Sequence, residues 1–210
     1  MALAALLAGV SCMIACGGGG GTATPEPSAT TVSDPPSPNP QPTIDGSRFT
    51  FPARGYASVI PDGWHANPNS LLAGAQTVDT FFSVDTVDGV QANISVTCEK
   101  NDANVPTEQF VTTRLATLAA LSAIDVKMLG AVTVAGVQGQ KVSYTLVRDA
   151  KTLRKTDVMF ATARCGWTLA LATAPAAETQ HQDLFERFLQ SFSLIGDAVP
   201  LTGAPRLPLL

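Results

Sequence analysis

A stretch rich in glycine and proline divides this chain and limits what each part can fold into. Residues 17–45 begin with five consecutive glycines, contain seven prolines and carry almost no large apolar side chain. Such a segment buries too little apolar surface to offset the entropy lost on ordering. We therefore predict a disordered tether over residues 17–45, followed by one folded domain over residues 46–195.

The segment before the tether is apolar and short. Residues 2–16 carry no charge and are rich in alanine and leucine. The run is shorter than the roughly 20 residues of a bilayer-spanning helix and fits the apolar part of a secretory signal. Its last four residues, Met-Ile-Ala-Cys, resemble a bacterial lipobox, in which the cysteine becomes the lipid-modified amino terminus. We predict a signal peptide over residues 1–16, with Cys16 carrying the lipid, palmitate for example.

Alternatives to this assignment remain open. Cys12 is a second candidate for processing, although a glycine stands upstream of it where such boxes prefer a branched apolar residue. A signal peptide normally begins with lysine or arginine, and none occurs before Arg48. Two further alternatives are a signal that is cleaved without lipid attachment and a buried apolar helix.

The other end of the chain, residues 196–210, contains three more prolines and is predicted to be a loose tail.

Between tether and tail, the hydrophobic periodicity predicts alternating strands and two helices. Strands are predicted over residues 47–51, 56–60, 78–84, 91–99, 131–134, 140–147, 153–161 and 167–172. A helix is predicted over residues 107–122 with Thr107 as its N-cap, and a second helix after Pro175. The second helix carries an apolar stripe of Leu184, Phe185, Phe188, Leu189 and Phe192. Short turns between strands favour an α+β fold, an antiparallel sheet flanked by helices.

The order of these signals resembles a known group of domains. The matching pieces are the turn Pro61-Asp62-Gly63-Trp64, the strand at 92–96, Phe110 near the first helix start, the run 134–144 and the ending 188–192. Together, over residues 47–194, they resemble the PsbP-like and DcrB-like domains, which include bacterial lipoproteins of the LpqN kind. The resemblance implies an αβα sandwich and mostly non-catalytic accessory or interaction roles, and it supplies no catalytic residues.

Two cysteines remain after the predicted processing, Cys98 and Cys165. An exported chain meets an oxidising environment, which favours a disulfide between them. Two separate free thiols are the alternative, because sequence does not establish the short Cα separation that a disulfide requires.

Composition excludes several function classes. A net charge of −4 without a basic stripe argues against nucleic-acid binding. The chain lacks a Gly-x-Ser-x-Gly elbow and a phosphate-binding glycine loop, and its two histidines, His65 and His181, lie in unrelated segments. We predict no catalytic residues, no cofactor and no metal. Asp79, Asp85 and Asp88 lie close together in sequence as a possible cation site, although acidic residues near strands usually keep an edge soluble.

The one basic cluster lies around a predicted hairpin turn. Arg148, Lys151, Arg154 and Lys155 form a possible interaction patch for anionic lipid headgroups or an acidic partner. The alternative is a solvated hairpin tip whose charges discourage edge pairing.

Together, these features predict a lipid-anchored, extracytoplasmic module of the bacterial cell envelope. It is expected to attach to the membrane through its lipid and to bind an envelope protein without catalysis. One alternative is a binder of a small apolar ligand in a pocket between the sheet and the C-terminal helix. A second is an envelope hydrolase, which needs a nucleophile in contact with His65 or His181.

Overall fold

The computed structural model describes residues 41–71 and 77–196. The predicted signal peptide with Cys12 and Cys16, most of the tether and nearly all of the predicted tail lie outside these residues. No helix of the described chain has both the length and the apolar character needed to cross a bilayer.

Strands dominate the described chain, in an order close to that predicted. The strands are β1 (Thr43–Asp45), β2 (Arg48–Phe51), β3 (Tyr56–Val59), β4 (Trp64–Leu71), β5 (Thr77–Val87), β6 (Val90–Lys100), β7 (Ile124–Val134), β8 (Val137–Arg148), β9 (Lys151–Ala161), β10 (Cys165–Thr173) and β11 (Ser193–Leu194). Helix α1 spans Thr107–Ala120, and α2 spans Glu178–Ser191 after a 3-10 turn at Pro175–Ala177. Both helices lie where the periodicity predicted them.

The strands form two antiparallel sheets. The larger sheet has seven strands in the order β4-β5-β6-β10-β9-β8-β7, and the smaller has four in the order β1-β2-β3-β11. Side chains alternate across the larger sheet. On β9 and β10, Phe160, Trp167 and Leu169 face α2 and the small sheet, whereas Met159 and Ala161 face α1. The result is an α+β fold with α1 on one face of the large sheet, and α2 and the small sheet on the other.

Edge elements account for most differences from the sequence prediction. Strand β1 pairs with β2, Thr43 opposite Thr50, so the last residues of the predicted tether belong to the domain. The structure also adds β4, β11 and the first half of β7. Strand β4 contains Pro68, which is unfavourable within a sheet and is tolerated at this edge position.

Aromatic rings fill the space between the large sheet, the small sheet and α2. The Trp167 ring lies 5.9 Å from that of Tyr56 and 5.7 Å from that of Phe192, and the Phe188 ring lies 5.2 Å from that of Phe81. The apolar stripe predicted for the second helix therefore faces the sheet as expected. These side chains occupy the interface at which the sequence predicted an apolar ligand pocket.

Helix α1 is attached to the sheet by a glycine and a threonine. The Phe110 ring lies directly against Gly166 of β10, where any larger side chain would overlap the ring. The prediction of Thr107 as N-cap is wrong: the N-cap is Pro106, and the Thr107 hydroxyl instead accepts a 3.0 Å hydrogen bond from the Ala161 amide on β9. Thr107 thus joins the helix start to the sheet rather than capping the helix.

Cys98 and Cys165 form a disulfide, with their Cα atoms 5.2 Å apart. Cys98 lies on β6 opposite Trp167, and Cys165 lies two residues earlier on β10, opposite Lys100. The bond therefore joins two neighbouring central strands and closes a loop that contains β7, β8, β9 and α1.

The disulfide is expected to contribute substantially to stability. The cysteines are 67 positions apart, and a loop of this length corresponds to about 4 kcal/mol in the chain-entropy model. A Cys98→Ser, Cys165→Ser double variant should therefore show a lower midpoint in urea unfolding. Reductant should destabilise the parent chain and leave the double variant unchanged. Equal midpoints with and without reductant, together with two titratable thiols in denaturant, would contradict the bond.

Candidate functional site

A concave surface lies on the α1 side of the large sheet, where α1 leaves part of the sheet uncovered. We call it the α1-face hollow, and its volume is about 330 Å³. Four strands, α1 and its C-cap residue Leu121 contribute the lining: Asn93, Ser95, Thr97, Arg114, Leu121, Tyr144, Leu146, Arg148, Leu153, Lys155, Asp157, Thr168, Ala170 and Ala172.

Strand alternation gives the hollow a polar floor of small side chains. Ile94 and Val96 of β6 face the aromatic core, so Asn93, Ser95 and Thr97 between and beside them face the α1 side. The sequence predicted this division of the strand. Because the floor residues are small, the sheet surface stays recessed beside the bulk of α1.

Asp157 is the buried carboxyl group of the hollow. Its side chain is only 5% exposed, and its Oδ2 accepts a 3.0 Å hydrogen bond from the Tyr144 hydroxyl. Its Oδ1 has no hydrogen-bond partner in the described chain. Burial raises the pKa of Asp157, and nearby Lys155, the Tyr144 hydrogen bond and Arg114 oppose that rise. Burial next to this carboxyl group also raises the pKa of Tyr144.

Thr168 supplies a second polar atom without a partner. It is 4% exposed, and its Oγ1 makes no hydrogen bond within the described residues, although its carbonyl oxygen accepts one from the Thr97 hydroxyl at 3.3 Å. Asp157 lies opposite Ala170 in the β9–β10 register, two residues along from Thr168. The two unpartnered oxygen atoms therefore belong to residues of adjacent strands that line the same hollow.

Three members of the predicted basic patch, Arg148, Lys151 and Lys155, share one face of the large sheet, and Arg154 lies on the other. Arg148 and Lys155 line the hollow, whereas Arg154 projects to the α2 side and pairs with Glu178 at 3.0 Å. Lys151 donates a 2.6 Å hydrogen bond to the Gly89 carbonyl oxygen. Arg154 is separated from its neighbour Lys155 because successive side chains of a strand point to opposite faces.

The three aspartates considered as a cation site are also separated. Asp79 is fully buried, and it accepts a 2.8 Å hydrogen bond from the Tyr56 hydroxyl and forms an ion pair with Arg54 at 3.4 Å. Asp85 and Asp88 are exposed. Over residues 41–71 and 77–196, no group of three metal-ligating side chains converges.

His181 is the histidine that contacts a hydroxyl group. Its Nδ1 lies 2.6 Å from the Thr173 Oγ1, and its ring packs edge-on against Trp64. Thr173 is 1% exposed and His181 7% exposed, so the hydroxyl is shielded from any substrate. His65 is exposed and stacks on Phe82. A histidine thus contacts a hydroxyl group, as a hydrolase requires, but the burial of both His181 and Thr173 favours a structural role for this contact.

Burial lowers the pKa of His181, which predicts a dependence of stability on pH. Below the unfolded value of about 6.5, the unfolded chain binds a proton that the folded chain excludes, so stability should fall as the pH drops from 6.5 towards the lowered pKa. The variant His181→Asn should lose this part of the dependence in urea unfolding measured across pH. His65→Asn is the control and should keep the parent curve; identical curves for the parent and His181→Asn would refute the assignment.

The unpartnered hydroxyl of Thr168 predicts an unusual substitution effect. Thr168→Val removes no hydrogen bond, so the free energy of unfolding should stay constant or rise. Thr156→Val is a matched control on the other face of the sheet. It breaks the 3.1 Å hydrogen bond to Gln182 and should lower the free energy of unfolding by about 1 kcal/mol. Equal losses in both variants would show that Thr168 has a partner.

Comparisons with known proteins establish the fold. No protein-family model matches the sequence, and no curated protein matches it. The structure is similar to cyanobacterial PsbP (CyanoP) from Synechocystis sp. PCC 6803, with 16% identity and a TM-score of 0.50, covering 70% of this chain and 91% of that one. It is also similar to LpqN, involved in cell envelope biogenesis of Mycobacterium tuberculosis, with 14% identity and a TM-score of 0.47, covering 74% and 90% of the two chains. A Pseudomonas aeruginosa protein of unknown function gives 15% identity and a TM-score of 0.47, covering 60% and 95%. The predicted PsbP-like fold is thus confirmed by the similarity to CyanoP.

Proposed function

We propose that this chain is a lipid-anchored, extracytoplasmic module of the bacterial cell envelope that binds a partner protein and performs no catalysis. The observation that carries the binding role is the exposed apolar strand at one edge of the large sheet. We place the partner surface on this strand rather than on the basic patch that the sequence suggested.

Strand β7 exposes large apolar side chains along its first half. Ile124, Val126, Met128 and Leu129 are 45–52% exposed. Within the described residues, β8 pairs with one edge of β7 and no strand pairs with the other. Exposed apolar patches and open edges are liabilities for a soluble protein and commonly mark interaction surfaces.

The backbone of β7 determines how a partner contacts it. The β7–β8 register shifts between Ile124 and Lys127 and again between Met128 and Gly130. Asp125 and Gly130 have positive φ angles, 54° and 110°. Such bulges interrupt the edge hydrogen-bonding ladder and disfavour addition of a partner strand. We therefore propose that the partner presents an apolar surface to the side chains of Val126, Met128 and Leu129.

Two features support an extracytoplasmic location. Disulfides persist in oxidising compartments, and the Cys98–Cys165 bond fits such a compartment. The apolar leader and the cysteine at its end fit export followed by lipid attachment at Cys16.

Lipid attachment is tested by labelling cells with radioactive palmitate. The parent chain and the control variant Cys12→Ala should incorporate the label, and Cys16→Ala should not. Label that is retained in Cys16→Ala and lost in Cys12→Ala would place the attachment site at Cys12. Absence of label in all three chains would remove the anchor from the proposal.

Partner binding is tested with a photo-crosslinking amino acid at Leu129 in native cells. We expect a discrete adduct that disappears when Val126→Asp is added, because a buried carboxylate opposes an apolar contact. The probe at Val84, an exposed apolar position on β5, is the control and should not give this adduct. Disulfide formation and protease resistance of the Val126→Asp chain would show that it folds. An adduct that persists in Val126→Asp, or appears equally from Val84, would rule out β7 as the binding surface.

A further inference from the structure

We propose that the α1-face hollow is a binding site for a phosphorylated polyol, whose hydroxyl groups reach Asp157 and Thr168 and whose phosphate lies at the cationic rim. This site is separate from the β7 surface of the proposed function and is tested independently of it.

The floor of the hollow lacks hydrogen-bond partners that a ligand would supply. Asp157 Oδ1 and Thr168 Oγ1 are both buried and unpartnered in the described chain, whereas the large majority of buried polar atoms in proteins are paired. Leaving such an atom unpaired costs about 1–3 kcal/mol. Both residues line the same hollow. A ligand hydroxyl both donates and accepts, so neighbouring hydroxyl groups suit a carboxyl oxygen beside a threonine hydroxyl.

The rim of the hollow carries the charge that an anion requires. Its lining contains three cationic residues, Arg114, Arg148 and Lys155, and one carboxyl group, that of Asp157. Arg114 is engaged by Glu99 at 2.7 Å, while the structure shows no ion pair within 4.0 Å for Arg148 or Lys155 in the described chain. Two cations match the charge of a phosphate monoester, about −1.5 to −2. The guanidinium group of Arg148 can also bind two phosphate oxygen atoms at once.

The walls and size of the hollow fit a compact polyol. Leu121, Leu146 and Leu153 contribute apolar surface for the C–H groups of a sugar or cyclitol. A volume of about 330 Å³ lies at the small end of typical ligand sites. Inorganic phosphate would engage the rim alone, and an uncharged polyol the floor alone. A molecule that joins both groups satisfies the complete site.

The proposal is tested by calorimetric titration of the purified full chain carrying Cys16→Ala. The probes are myo-inositol 1-phosphate, inorganic phosphate and myo-inositol. We expect the inositol phosphate to bind about tenfold more tightly than either part, because it makes both sets of contacts. Absence of binding, or equal affinity for inorganic phosphate and inositol phosphate, would overturn the proposal.

Matched variants assign the binding to the hollow. Thr168→Val and Arg148→Gln should each weaken binding of myo-inositol 1-phosphate by about five- to tenfold. Thr156→Val and Arg187→Gln make the same changes on the α2 side and should leave the affinity unchanged. Urea unfolding of each variant separates loss of binding from loss of fold. An equal loss of affinity in both pairs of variants, or an unchanged affinity in all four variants, would exclude the hollow as the site.

A vesicle experiment separates two sources of the same chemistry, a free polyol phosphate and a lipid headgroup. The Cys16→Ala chain is sedimented with vesicles of phosphatidylcholine alone or containing phosphatidylinositol. One outcome is that the chain binds phosphatidylinositol vesicles in a way that Arg148→Gln abolishes and that free myo-inositol 1-phosphate prevents. This result would identify the ligand as a lipid headgroup. Binding of the free compound without retention would assign a soluble ligand. Failure of both would refute the site.

Discussion

Contact between the Trp167, Tyr56 and Phe192 rings is the interaction on which the architecture depends. These residues belong respectively to the large sheet, to the small sheet and to the segment that follows α2. Tyr56 and Phe192 stack at 5.2 Å, and Trp167 meets both edge-on. A four-stranded sheet with strands of two to four residues has too little surface for its own core. It is held in place because its inward side chains share the core of the larger sheet.

A buried polar contact fixes how the two sheets meet. Asp79 of β5 is enclosed between the Tyr56 hydroxyl of β3 and the guanidinium group of Arg54. Burial next to this carboxylate raises the pKa of Tyr56 well above its usual value, so the hydroxyl remains a donor. Aromatic packing is tolerant of small sliding movements, whereas a buried carboxylate needs its partners in one arrangement. The apolar contacts thus supply most of the attraction between the sheets, and Asp79 selects their relative placement.

The sequence predicted the elements whose pattern reflects a half-buried position. Strand β6 and helix α2 alternate with the correct period, and both were found with nearly the expected bounds. Strands β1 and β11 are too short to show a period, and the first half of β7 is exposed on both sides, so burial imposes no alternation there. The polar side of β6 was also predictable from its alternation. The hollow was not, because its floor combines β6 with β10, two strands that are far apart in sequence, and its wall depends on where α1 lies over the sheet.

The chain enters and leaves the domain at the same sheet. The first described strand, β1, and the last, β11, form the two outer edges of the small sheet. This sheet lies with α2 on one side of the large sheet, and α1 lies on the other. Both ends of the described chain therefore meet the domain at the small sheet, on the side of the large sheet opposite to the hollow with Asp157 and Thr168.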